Sequence, residues 1–362
     1  MEPREFLMED RLEKFRLQTA CNMGESGVRN FSLGELLENL ELDSSILKDI
    51  SLSDSPNQGR TDLREEIASL YEDVHPDEVL ITTGTSEALF IIFHILLEKG
   101  DRVGLFLPAF QSLYEIPVYL GAATNGVFLK NRFKLQELLE MGNKLTIINH
   151  PHNPTGLSLE ESDIALLNDW MTGKEQFLLF DEHYRFLDLF GDLIFSGMKP
   201  NRNILATGSI TKCFGVVGLR IGWLVGNKKF ISKARAFKDY VTHTVNPISE
   251  FLTLKILQKR HKLIAPIKMR IQNNIAYLQK NIQHITSIQT FIPPQAGLIC
   301  FPELHYGINS EEYCNKLMEN CDIFVLPGSN FEAEGFIRIG FGETENRFRA
   351  GVDRWVEWEN PT

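Results

Sequence analysis

The sequence has no apolar run long enough to cross a bilayer. Its most hydrophobic stretch, Ala88 to Leu97, is too short and is flanked by Glu87 and Glu98. It also has no basic stripe. Lys and Arg total 37 against 48 Asp and Glu, for a formal charge of -11. That balance argues against nucleic acid or an anionic membrane as partner. The opening Met1-Glu-Pro-Arg-Glu carries acids where a secretory leader needs a basic and then an apolar run. The five cysteines (Cys21, Cys213, Cys300, Cys314 and Cys321) are odd in number and lack metal-ligand spacing. A bound metal is therefore not expected, and reduced thiols in a cytoplasmic protein are the simplest reading. No stretch reads as a linker, a low-complexity segment or a solenoid repeat.

What is present is an ordinary globular composition, 43% hydrophobic and 23% charged over 362 residues. That length exceeds what one hydrophobic core usually serves, so a large domain and a smaller one are expected. Strand and helix signals alternate through the middle. Val79–Thr83, Arg102–Leu107, Leu145–Asn149, Phe177–Phe180, Asn203–Thr207 and Leu219–Val225 read as strands. Ser86–Glu98 and Glu160–Met171 read as helices, and a long helical stretch is expected from Lys228 to about Gln258. Such alternation implies an α/β fold with a mostly parallel sheet covered on both faces. The remainder, with short strands near Leu298 and Phe336, reads as a smaller α+β unit. The expected division is an N-terminal segment at 1–40 packing with the small unit, a large domain at 41–258 and a small domain at 259–362.

Chemistry in such folds gathers at the strand ends. Thr83-Gly-Thr-Ser-Glu-Ala joins a strand to a helix N-terminus, which suits an anion, although an ordinary helix cap looks the same. Asn149-His-Pro-His-Asn-Pro-Thr-Gly is a stiff loop that aims Asn153 at one point, or simply a turn. Asp181-Glu-His-Tyr closes a buried apolar strand, where a carboxylate is costly unless it meets a cation. Ser209-Ile-Thr-Lys precedes Gly215, Gly218, Arg220 and Gly222. A shielded Lys212 with a cation such as Arg220 nearby would lose its proton easily, as an amine nucleophile must. Ser209 and Lys212 also fit the S-x-x-K pattern of penicillin-binding proteins, but no Ser-Asp-Asn or Lys-Thr-Gly follows.

In this order and spacing the motifs resemble fold-type I pyridoxal-phosphate (PLP) enzymes of aminotransferase class I/II, over nearly the whole chain. The resemblance implies PLP as cofactor and an aminotransferase-like large domain with a mostly parallel seven-stranded sheet, plus a smaller α+β domain. It also implies a homodimer with active sites at the interface. Lys212 matches the Schiff-base lysine. Gly84, Thr85, Ser86, Ser209 and Arg220 match phosphate ligands, and Phe110 matches the aromatic that stacks on the ring. Asn153 and Tyr184 match the partners of the ring hydroxyl, and Asp181 matches the partner of the ring nitrogen. Arg338 matches the arginine that forks onto the substrate α-carboxylate.

Two departures stand out. Asp54 occupies the place, five residues before Gly59, where ordinary members carry a tyrosine. The segment Gly24-Glu-Ser-Gly-Val-Arg-Asn-Phe-Ser-Leu-Gly-Glu-Leu replaces the usual Gly-Glu-Pro-Asp-Phe entry. In these pieces the chain resembles the cyclases that form capreomycidine and, in guanitoxin biosynthesis, L-enduracididine. This resemblance implies a small cationic amino acid as substrate, a hydroxylated arginine, dehydrated and cyclised with its amino group retained. Asp54, Glu9 and Glu25 are candidate partners for the guanidinium, and Ser26, Gly27 and Asn153 complete the expected substrate contacts. Lys212, His183 and Thr85 are candidates for handling the Cβ proton. The alternative is an amino acid aminotransferase with a 2-oxo acid acceptor.

Overall fold

Seven strands from the middle of the chain form one sheet in the computed structural model: β1 (Val79–Thr82), β2 (Arg102–Leu107), β3 (Ala123–Phe128), β4 (Leu145–Asn149), β5 (Phe177–Asp181), β6 (Ile204–Gly208) and β7 (Gly222–Val225). The structure describes residues 4–200 and 202–361, so residues 1–3 of the expected N-terminal segment lie outside the described residues. The sheet order is β1-β7-β6-β5-β4-β2-β3, parallel throughout except for β7, which runs against both neighbours. Strands β4, β6 and β7 are buried along their whole length, as the sequence pattern of a sheet covered on both faces requires.

The differences from the sequence reading have local causes. Edge strand β3 was not foreseen, because Thr124, Asn125 and Gly126 dilute its hydrophobic signal and most of its residues are only partly buried or exposed. The strand expected from Leu219 begins only at Gly222. Val217–Leu219 forms a single 3-10 turn, and Arg220 adopts the left-handed region at φ 50°. The long helix expected from Lys228 to Gln258 is two helices, Lys228–Lys238 and Pro247–Gln258. Pro247 has no N–H to continue a helix but suits a first turn. Asn246 caps the new start by accepting from Ile248 and Ser249.

The C-terminal part begins with helix Arg260–Asn281, which packs on helix Glu345–Glu359. Short antiparallel pairings join Ile299–Cys300, Ile337–Gly340 and Leu326–Pro327. The N-terminal segment docks here: Cys21–Asn22 pairs parallel with Ile323–Phe324. Helix α1 (Leu7–Phe15) places Met8 and Leu12 against Phe324, Leu326 and Phe331. One apolar core runs from the sheet into this C-terminal part. The five cysteines are all buried and unpaired. Among the described residues no helix is long and apolar enough to cross a membrane, and no cluster of three or more His, Cys, Asp or Glu is placed to hold a metal ion.

Candidate active site

The loops at the ends of β1, β4, β5 and β6 and the N-terminal segment enclose a cavity of about 400 Å³. This is within the range of small-molecule sites. At one end, helix α2 (Thr85–Leu96) presents its N-terminus. Gly84 is its cap residue at φ 76°, and a Cβ there would lie 2.8 Å from an Arg220 Nη. A Cβ on Gly222 would lie 2.6 Å from the Thr85 nitrogen, so only glycine lets β7 pass this close to the helix start. The helix start, Thr85, Ser86 and the Arg220 guanidinium beside Gly84 thus line the same cavity. That is the chemistry of a phosphate site.

Lys212 lies farther along the cavity. Its Nζ donates to Ser26 Oγ at 2.7 Å and stands 5.8 Å from the centre of the Phe110 ring. Burial lowers its pKa and the charge of Arg338 lowers it further, against the opposing pull of Glu9, Glu25 and Asp181. Arg338, distant in sequence, is thus a cation acting on Lys212, beside the Arg220 that lines the same cavity.

Register explains the next group. Asn149 pairs with Asp181, and Asp181 with Thr207, across β4, β5 and β6. The three side chains form a row. Thr207 Oγ1 donates to Asp181 Oδ1 at 2.8 Å, and Asn149 Nδ2 to Oδ2 at 3.2 Å. His183 Nε2 lies 3.2 Å from Asp181 Oδ1, and its Nδ1 lies 3.4 Å from Thr85 Oγ1. Burial alone would raise the Asp181 pKa. His183, the Thr207 hydroxyl and the charge of Lys212 outweigh it, and the carboxyl is held below its ordinary value. Asn149 Oδ1 also accepts from the Asn153 N–H at 2.6 Å, which ties the Asn-Pro loop to the same row. From sequence, Asn149 is the end of its strand and the start of that loop; its bond to Asp181 is seen only in the structure.

Of the residues expected to hold a cofactor, Gly84, Thr85, Ser86, Phe110, Asn153, Lys212 and Arg220 line the cavity. Asp181, Tyr184 and Ser209 are buried directly behind this lining. The Tyr184 hydroxyl donates to Ser26 O at 2.9 Å, and burial raises its pKa. Ser209 Oγ is 3.0 Å from the hydroxyl of Thr211, which does line the cavity. The set fits PLP. An anion cradle, an aromatic face, a lysine of lowered pKa and a buried carboxylate held ionised behind His183 match the phosphate, ring, aldehyde and ring nitrogen in turn.

The expected substrate residues divide. Glu9, Glu25, Ser26, Gly27 and Asn153 line the cavity. Arg338 is fully buried behind Asn153, with Nη1 donating to Asn153 Oδ1 at 3.0 Å and Nη2 to Gly24 O at 2.7 Å. Among the described residues no carboxylate pairs with it, which leaves a buried cation suited to an anion from outside. Asp54 is elsewhere. It is exposed, does not cap the helix after Arg60, and accepts from Thr244 Oγ1 at 3.1 Å. A residue the sequence reading missed, Arg16, enters the cavity between Glu9 and Glu25, at 3.4 and 3.7 Å. Its spacing of two helical turns from Glu9 was the available signal.

A family model described as aminotransferase class I and II matches residues 50–354. Capreomycidine synthase of Streptomyces vinaceus is 27% identical over 353 residues, 92% of this chain and 88% of that protein. Aspartate aminotransferase of Pyrococcus horikoshii is 26% identical over 320 residues, 83% of this chain and 81% of that protein. The crystal structure of the PLP-dependent cyclase OrfR is similar in fold, with a TM-score of 0.90 at 24% identity over 99% of this chain and 97% of that one.

Proposed function

The chain belongs to the aminotransferase class I and II family, and from that premise we propose that it dehydrates and cyclises a hydroxylated L-arginine to a cyclic guanidino amino acid of the enduracididine or capreomycidine type. It is a PLP-dependent enzyme of that family with the aminotransferase-like fold type I. The observation that carries the finer reading is the acid pair Glu9 and Glu25 in the same cavity as Lys212. The similarity to capreomycidine synthase supports it.

Bound at Lys212, PLP supplies an electron sink for charge developing at the substrate α-carbon. The chain's own groups divide the remaining work. Arg338 and Asn153 hold the α-carboxylate, and Glu9 and Glu25 hold the guanidinium at the opposite end. Lys212, neutral more readily than an ordinary lysine, takes the proton from Cα and later returns one. Asp181 keeps the ring nitrogen protonated. His183, Thr85 and Lys212, which line the same cavity, are the candidates for handling a proton at Cβ. The substrate's C–O bond breaks, a guanidine nitrogen bonds to carbon, and the hydroxyl leaves as water with one proton. Holding both ends of one flexible substrate favours closure through proximity. Asp54, exposed and outside this cavity, would contribute only across the interface of a homodimer.

The test is to incubate the holoenzyme with 3-hydroxy- and with 4-hydroxyarginine in heavy water, without a 2-oxo acid. A cyclic product lighter by one water supports the reading, and its deuterium content counts the exchanged protons. Half-turnover to pyridoxamine phosphate and an oxo acid, with no cyclic product, sinks it in favour of the aminotransferase.

A further inference from the structure

The cavity beside Lys212 already receives a guanidinium, and it belongs to the chain. Arg16 follows the last turn of α1, where its backbone N–H and its Nε both donate to Leu12 O, at 2.9 and 3.1 Å. With Nε held, the two terminal nitrogens are divided between the acids: Nη2 lies 3.4 Å from Glu9 Oε2 and Nη1 3.7 Å from Glu25 Oε1. Asn22 fixes the spacing. Its Nδ2 donates to Arg16 O at 2.9 Å, while its Oδ1 accepts from the N–H groups of Gly24 and Glu25 at 3.0 and 3.2 Å. One amide thus ties the backbone that carries Arg16 to the backbone that carries Glu25. The inward turn is particular to this residue. Arg11, on the same helix, pairs instead with Glu311 and Asn315.

We propose that Arg16 is a specificity-determining residue: its guanidinium occupies the Glu9–Glu25 pair until the guanidinium of an arginine-type substrate displaces it. This rests on the reading of those acids as the substrate's guanidinium site. The exchange is like for like. A ligand that carries its own planar, forked cation replaces Arg16 without leaving the carboxylates unpaired. A compact ammonium must meet both acids from one nitrogen and so matches less well the two-nitrogen span by which Arg16 reaches them, and a neutral side chain has no charge to displace Arg16 with. Displacement is cheap, because the three side chains are 33%, 49% and 38% exposed and pairs in water contribute little.

The test uses holoenzyme and calorimetric binding of L-arginine, which has no hydroxyl to eliminate, beside its neutral isostere L-citrulline. Arg16→Ala and Arg16→Gln are expected to tighten arginine by about two- to five-fold, the range an exposed ion pair is worth. Citrulline affinity should be unchanged, which also reports that the site is intact. Glu9→Gln and Glu25→Gln should weaken arginine. If both Arg16 variants leave arginine binding unchanged or weaker while the acid variants weaken it, the proposal is overturned and the guanidinium reading stands. If the acid variants leave arginine binding unaltered, that reading fails and the proposal with it.

Discussion

Replacing Arg338 by methionine should separate recognition of the α-carboxylate from recognition of the rest of the substrate. Arg338 is fully buried, and its partners within the chain are neutral: the Asn153 amide oxygen, the Gly24 carbonyl and the Met8 sulfur. Burial lowers its pKa, as expected for a cation without a counter-charge. A carboxylate that reached it would gain two charge-assisted hydrogen bonds, worth together about 3–5 kcal/mol. That corresponds to about two to three and a half orders of magnitude in Kd. Agmatine, which is arginine without the carboxylate, cannot make these bonds. Wild-type holoenzyme should therefore bind L-arginine far more tightly than agmatine, and Arg338→Met should bring the two together by weakening arginine alone. The assay is titration of the bound cofactor's visible band with each ligand. Equal losses for agmatine and arginine, or no loss for arginine, would refute the reasoning. A far-ultraviolet circular dichroism melt separates a collapsed fold from a lost contact.

Three further outcomes are expected. Lys212→Ala should abolish the visible band of covalently held PLP and cut product formation by at least about 100-fold, as measured by absorbance and mass spectrometry. Asn149→Ala leaves an Asp181 oxygen and the Asn153 N–H without a side-chain partner. It should lower unfolding free energy in urea by about 1–3 kcal/mol; an unchanged midpoint would show that the row across β4 and β5 carries no load. The buried His150 and His152 are pushed down to about 4 and about 3, chiefly by burial. Their folded-state pKa values lie below the unfolded value near 6.5, so the unfolded chain takes up protons that the folded chain refuses. Their contribution is therefore present above about pH 6.5 and falls away as the pH drops toward 4. Urea midpoints measured from pH 7.5 to 5 should decline, and His152→Gln should flatten the decline.

The sheet, and the gathering of the motif residues at one cavity, were legible because their signals are local. An apolar run that stops at a polar residue marks both a strand end and the place where chemistry collects, as at Asn149 and Asp181. Edge strand β3 was not legible, because an exposed strand needs no hydrophobic pattern. The break before Pro247 carried its own signal, a capping asparagine before a proline, which the surrounding apolar residues masked. That Arg338 also acts on Lys212 was not legible, because it is distant in sequence and arrives by the pairing of Ile337–Gly340. Arg16 and Asn22 escaped for a related reason. Their bonds join residues 9 to 25 through the irregular backbone that follows α1, and composition does not encode that path.

The docking of the N-terminal segment has a consequence for how such an enzyme could be rebuilt. The anion cradle, Lys212 and the Asp181 row hang from the central sheet. The cavity's acids Glu9 and Glu25, and Arg16 between them, all precede Ser32 in the chain. On the proposed reading the guanidinium end of the substrate is thus met by a short segment that the sheet does not supply, although Met8, Gly24 and Ser26 of the same segment touch Arg338 and Lys212. Grafting a relative's segment up to Phe31, with Met8, Gly24 and Ser26 kept to hold Arg338 and Lys212, would re-address the catalyst to another side chain. A ring-forming and an amino-transferring enzyme could then differ chiefly in a leader sequence latched onto the C-terminal strands.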